Sequence, residues 1–179
     1  WRHMWYLYAL IFWQLTLPIL TFLRDRLHLA GALFGLAVAM AVSLAAGYVD
    51  WPFTLVRVFA FYPFYAFGVL FRPQIDMLDR LATRFWAVRA VPALLLLAGY
   101  GVRFLQMMQY EGQLGESAKI FNDVAYGEGY ALPDRALFLL VGIVTSMGLV
   151  AAVGGCRILA PLGRRTLPIY LLHFPILTF

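Results

Sequence analysis

The chain has 179 residues, of which 63% are hydrophobic, 17% aromatic and only 13% charged, and its mean hydropathy is +0.79. A soluble domain carries about 45–50% apolar and about 25% charged residues, so an ordinary globule, a disordered chain and a nucleic-acid-binding module are excluded. An integral membrane protein remains, and its net charge of +5, from 13 Arg and one Lys against 9 acids, belongs to topology or to anionic ligands.

In chain order, six apolar segments approach spanning length: Met4–Leu23, Leu29–Gly47, Thr54–Phe71, Phe85–Val102, Ala136–Val153 and Leu167–Phe179. None alternates as a barrel strand does. Only helices and closed barrels satisfy their own backbone in lipid. The expected fold is all-α: a polytopic transmembrane helical bundle of five full helices and a truncated sixth, forming one domain over residues 1–179. The chain opens on Trp1 without a signal-peptide pattern, and its last apolar run has 13 residues. Such a run covers about 20 Å of a roughly 30 Å hydrocarbon core. Both ends therefore read as cut from a longer protein.

Basic residues alternate between the two sides. Arg24, Arg26, Arg72, Arg80, Arg84, Arg157, Arg164 and Arg165 fall on one side, eight in all, against Arg2, Arg103, Lys119 and Arg135 on the other. The bias assigns the side with eight to the cytoplasm. The connection Arg103–Arg135, with five acids, then faces outside. In the second segment Gly31, Gly35, Ala39, Ser43 and Gly47 recur every fourth residue on one face, a surface for close packing inside the bundle.

Paired-cysteine, phosphate-loop and His-Glu-x-x-His motifs do not occur, His3, His28 and His173 share no ligand spacing, and no metal site is expected. Cys156, the lone cysteine, reads as a small packing residue beside Gly154 and Gly155. Polar residues inside apolar helices are the candidates that remain, because they are costly in lipid. Arg57 shares a helical face with Phe61, Phe64 and Gly68, with Tyr65 beside them. Pro63 releases the Phe59 carbonyl and bends the helix, so this face either walls a polar cavity or lets Arg57 snorkel to the interface. Arg89 reads as a snorkelling residue ahead of Pro92.

The last segment runs Leu162-Gly-Arg-Arg-Thr-Leu-Pro-Ile-Tyr-Leu-Leu-His-Phe-Pro-Ile176. Thr166 can cap a helix whose first turn tolerates Pro168. Thr166, Tyr170 and His173 share an arc of about 60°. Arg164 and Arg165 stand before its N-terminus, where they can hold phosphate or anchor the chain.

This run resembles the closing motif of the membrane-bound acyltransferase 3 family, Leu-Gly-x-x-Ser/Thr leading to Tyr-Leu-x-His-x-Pro. The segment Arg57–Gly68 resembles the Arg…Pro-Phe-Phe…Gly helix of the family's fucose 4-O-acetylase-like branch, and His3-Met4-Trp5-Tyr6-Leu7 resembles the start of a mid-domain helix. The three occur in the family's order. The resemblance implies about ten membrane helices in the whole enzyme. It further implies transfer of an acetyl or other acyl group from cytoplasmic acyl-CoA to a sugar hydroxyl of a cell-surface glycan.

On that reading the chain is the C-terminal half of a multi-pass protein of the bacterial inner membrane, with the lipid bilayer, acyl-CoA and a glycan or lipid-linked sugar as partners. No segment matches the family's first-helix histidine with its preceding arginine, so this half is expected to be inactive alone. Arg57, Tyr170 and His173 are the candidate catalytic residues, and Arg164 and Arg165 are the candidates for CoA phosphates. A transporter or glycan flippase is the alternative, although all nine acids fall in connections or at helix ends. A scaffold assembled through the Gly31–Gly47 ridge is a third reading.

Overall fold

The computed structural model describes residues 5–49, 55–110, 125–127 and 131–153. Every regular element among them is helical: α1 (Trp5–Ala45), a short 3-10 turn (Ala46–Tyr48), α2 (Leu55–Leu70), α3 (Arg72–Arg84), α4 (Trp86–Tyr110) and α5 (Leu132–Val153). The bundle is all-α, as the apolar runs require. The stretch Tyr6–Tyr48 and the helix Leu132–Ala152 are long and apolar enough to cross a membrane, and α2 with α3 adds a third such stretch if counted as one bent span.

α1 is two arms, 5–27 and 29–45, joined at His28, whose φ of 51° and ψ of −133° leave the helical region. Its partners along α2 show that the chain reverses there. The Trp13 Nε1–H donates to the Val58 carbonyl at 3.0 Å, and eleven residues later Arg24 Nη1 donates to the Val69 carbonyl at 3.2 Å, so the first arm runs parallel to α2. In the second arm Gly35 lies against Leu70, whereas Ser43 Oγ donates to the Ala60 carbonyl at 3.5 Å. That arm therefore runs antiparallel to α2. The arms are about 34 Å and about 26 Å long at a rise of about 1.5 Å per residue. The turn falls where the charged cluster Arg24, Asp25 and Arg26 interrupts two apolar runs.

Small residues let the two arms and α2 close on one another. A Cβ on Gly31 would run into the Leu23 carbonyl and the Leu27 side chain. Beyond it Leu20, Ala32, Ala39, Ala66 and Leu70 form one core cluster, and Ala9, Trp13 and Val58 form a second. The small-residue ridge is consumed by packing inside the bundle: Gly31, Gly35, Ala39, Ser43 and Gly47 are all buried. Hydroxyls inside the helices return their protons to nearby carbonyls, Thr16 to Trp13, Thr21 to Leu17 and Thr145 to Val141, which lowers the cost of carrying them in an apolar segment.

α4 packs chiefly on α5, where Gly99 receives Thr145 and Val141. Phe138 and Gly142 of α5 meet Phe61 and Phe64 of α2, which joins the two pairs of helices.

Two expectations need correction. The stretch after the third apolar segment is not a plain connection; residues 72–84 form α3, set off from α2 by a bend of 70°. Helix α2 itself runs unbroken through Pro63 and ends at the bend. The outer connection is also shorter than the span Arg103–Arg135, because α4 continues to Tyr110 and α5 begins at Leu132. Asp134 supports that earlier start by accepting the Ala131 N–H at 2.8 Å. The expected last segment, Leu167–Phe179, lies outside the described residues.

Candidate functional site

Arg57 sits in the first turn of α2, half-buried. One turn on, Phe61 meets the edge of Phe138 on α5, with ring centroids 6.2 Å apart and planes at 83°. Phe64 meets the same ring at 5.9 Å and 88°, and Phe61 and Phe64 lie 6.1 Å apart. The three phenyl groups thus form a wall one turn along α2 from Arg57, with Phe138 held edge-to-face against the other two. Two other members of the expected face go elsewhere. Gly68 is exposed, with open space where a side chain would be. Tyr65 turns toward α1 and stacks on Trp13 at 5.5 Å and 25°. Its hydroxyl is buried without a hydrogen-bond partner among the described residues.

Arg135 was assigned to an outer connection by sequence, yet its side chain is fully buried at the start of α5. Its Nη1 donates to the Ser43 carbonyl at 3.1 Å, and its guanidinium lies 5.0 Å from the centroid of the Tyr126 ring. Tyr126 is anchored in turn: its hydroxyl donates to the Leu44 carbonyl at 2.8 Å and its N–H to the Gly47 carbonyl at 2.6 Å. Tyr48 closes the cluster edge-on to Tyr126 at 4.9 Å. Burial raises the Tyr126 phenol above its ordinary pKa, partly opposed by the adjacent Arg135 charge. Gly47 is the residue that permits all this, since a Cβ there would strike the Tyr126 ring and the Arg135 guanidinium.

Two guanidiniums therefore share one end of the bundle. Arg57 precedes Phe61 by four residues and Arg135 precedes Phe138 by three, each one turn from the same ring contact and toward the same end. Ser43 links them. Its carbonyl accepts from Arg135, and its hydroxyl donates to Ala60, one turn along α2 from Arg57. A buried cation such as Arg135 persists only where a carbonyl and a ring replace the lost water.

The opposite end is open. Arg24, Asp25, Arg72, Pro73, Asp76 and Arg80 line a cleft of 440 Å³ between the α1 turn and α3. Arg24 Nε pairs with Asp25 Oδ1 at 2.7 Å, whereas Arg72 and Asp76, both largely exposed, are 3.9 Å apart. The sequence grouping of Arg24, Arg72 and Arg80 on one side is what the fold brings together. Val69, beside Arg24, lies twelve residues from Arg57, or about 18 Å along α2.

The remaining candidates, Arg164, Arg165, Thr166, Tyr170 and His173, lie outside the described residues, as do Cys156 and the side chain of Arg89. Among the described residues no group of three or more His, Cys, Asp or Glu could hold a metal ion. Sequence reasoning missed Arg135. Its signal was faint: a cation directly before an apolar run, with a Gly of the small-residue ridge and a Tyr-Gly pair far away in sequence.

A bundle of apolar helices with stretches long enough to cross a membrane, and with Arg57 half-buried one turn from three packed phenyl groups, defines a helical membrane protein. A family model described as an acyltransferase domain, the acyltransferase 3 family, matches residues 1–179, and the chain belongs to that family. No match was found among curated proteins, and none among solved structures.

Proposed function

We propose that this chain forms part of an integral-membrane O-acyltransferase that moves an acyl group, acetyl being the leading choice, from acyl-CoA to a sugar hydroxyl of a cell-surface glycan. The branch assigned is the fucose 4-O-acetylase-like one, whose helix pattern residues 57–68 resemble, and the setting is a multi-pass protein of a bacterial inner membrane. The observation that carries this reading is Arg57, half-buried one turn from the Phe61–Phe64–Phe138 wall in a chain that matches the acyltransferase 3 family throughout.

The transfer requires the acceptor oxygen to attack the thioester carbonyl carbon while a base takes the hydroxyl proton. The carbonyl electrons form an oxyanion. They return as the carbon–sulfur bond breaks, and the CoA thiolate leaves and takes up a proton. A fixed cation beside the oxyanion lowers that barrier more than any other single contribution. Arg57 is given that role. Its place at the end away from the Arg24 and Arg72 turns suits the oxyanion rather than the CoA pyrophosphate. Tyr170 and His173 would position the reacting groups, and Arg164 and Arg165 would meet the CoA phosphates.

The test is acyl transfer by the purified full-length protein. Radiolabelled acetyl-CoA should pass its acetyl group to a glycan acceptor and release free CoA in equal amount. Substrate uptake into liposomes without any transfer would overturn the proposal and favour a transporter.

A further inference from the structure

Helix α3 divides its surface three ways. At about 100° per residue, Ile75, Leu78 and Ala82 share one arc, and these face the bundle, Ala82 being buried and the other two half-buried. The next arc carries Met77, Leu81 and Phe85, which are 56%, 37% and 49% exposed. The charged arc carries Arg72, Asp76 and Arg80, all exposed, with Arg84 set over the Phe85 ring at 5.4 Å. The helix leaves α2 at 70°, so it runs across the end of the bundle rather than along it.

Neither water nor hydrocarbon alone suits such a surface. Five charges in thirteen residues forbid burial in the hydrocarbon. Held clear of the bilayer, the helix would leave a continuous apolar ridge in water. An apolar ridge beside a basic arc fits the boundary between acyl chains and headgroups. The charge count points the same way. Three guanidiniums and two carboxylates line the cleft between α3 and the α1 turn, a surplus of one positive charge. That matches the single negative charge of a lipid phosphodiester, whereas a soluble polyphosphate would need a larger surplus.

We propose that α3 lies in the membrane plane, with Met77, Leu81 and Phe85 immersed at the headgroup boundary and the Arg24–Arg72–Arg80 cleft holding the headgroup of an anionic lipid. The test uses the full-length protein without other cysteines, spin-labelled singly at positions 76, 77, 81 and 83, in phosphatidylcholine vesicles with and without phosphatidylglycerol. Collision with oxygen relative to a water-soluble nickel chelate should be at least roughly threefold higher at 77 and 81 than at 76 and 83. Phosphatidylglycerol should deepen positions 77 and 81, and the double variant Arg72→Gln, Arg80→Gln should lose that lipid dependence while keeping its gel-filtration profile. Water-like collision at 77 and 81 would overturn the proposal, as would burial of all four positions or an unchanged lipid dependence in the double variant. Protection of position 76 by acyl-CoA in phosphatidylcholine alone would overturn the lipid assignment and make the cleft a donor site.

Discussion

The two ends of this bundle use the same residue type in opposite ways. At one end Arg135 is fully buried, bonded to the Ser43 carbonyl and set over Tyr126, and Arg57 is half-buried one turn along α2 from a phenyl wall. At the other, Arg72 is 73% exposed in its side chain and meets Asp76 only at 3.9 Å. Burial decides what a guanidinium can do. A buried, fixed cation acts strongly on charge beside it, while a solvated one is screened and contributes little to stability.

That contrast can be broken from the closed end first. Arg135→Ala leaves the Ser43 carbonyl and the Tyr126 ring without their buried partner, and should destabilise the protein by about 3 kcal/mol, read as a fall in melting temperature in detergent. Gly47→Ala forces a methyl group against Tyr126 and Arg135 and should cost about 2 kcal/mol by the same measurement.

Tyr126→Phe removes the bond to the Leu44 carbonyl and should cost about 1 kcal/mol. The wild-type phenol, raised by burial, should also make melting pH-dependent. Its contribution is complete below the ordinary value of 10.0 and falls as pH rises through the raised folded value, because the unfolded chain loses its proton first. The Phe variant should lack that alkaline component.

At the open end the effects shrink. His28→Gly relieves a positive φ that a non-glycine residue adopts only with strain, and should stabilise the hairpin by about 0.5 kcal/mol. Arg72→Gln should change melting by less than about 0.5 kcal/mol, since exposed pairs contribute little. A drop as large as that of Arg135→Ala would erase the distinction between the ends.

Much of the fold is written as apolar length. The reversal at His28 falls where charges interrupt two runs, and the ridge from Gly31 to Gly47 fixes which face of the second arm meets its neighbours. Helix α3 was hidden because its apolar residues keep helical period at low overall hydropathy, which reads as a charged connection. Arg135 was hidden for another reason. A cation next to an apolar run has the same sequence signature whether it faces water or a ring and a carbonyl, and only the distant Ser43 and Tyr126 decide between them. Tyr65 shows the limit of a helical wheel: about 80° from Arg57 on the same helix is enough to face α1 instead of α5.

The oxyanion role of Arg57 is tested most directly by Arg57→Ala in the full-length enzyme, assayed for acyl transfer at saturating acyl-CoA and acceptor. The account predicts a loss of about 10²–10³ in kcat, as for removal of one oxyanion donor, with membrane expression and melting temperature close to wild type. Transfer at the wild-type rate would contradict it.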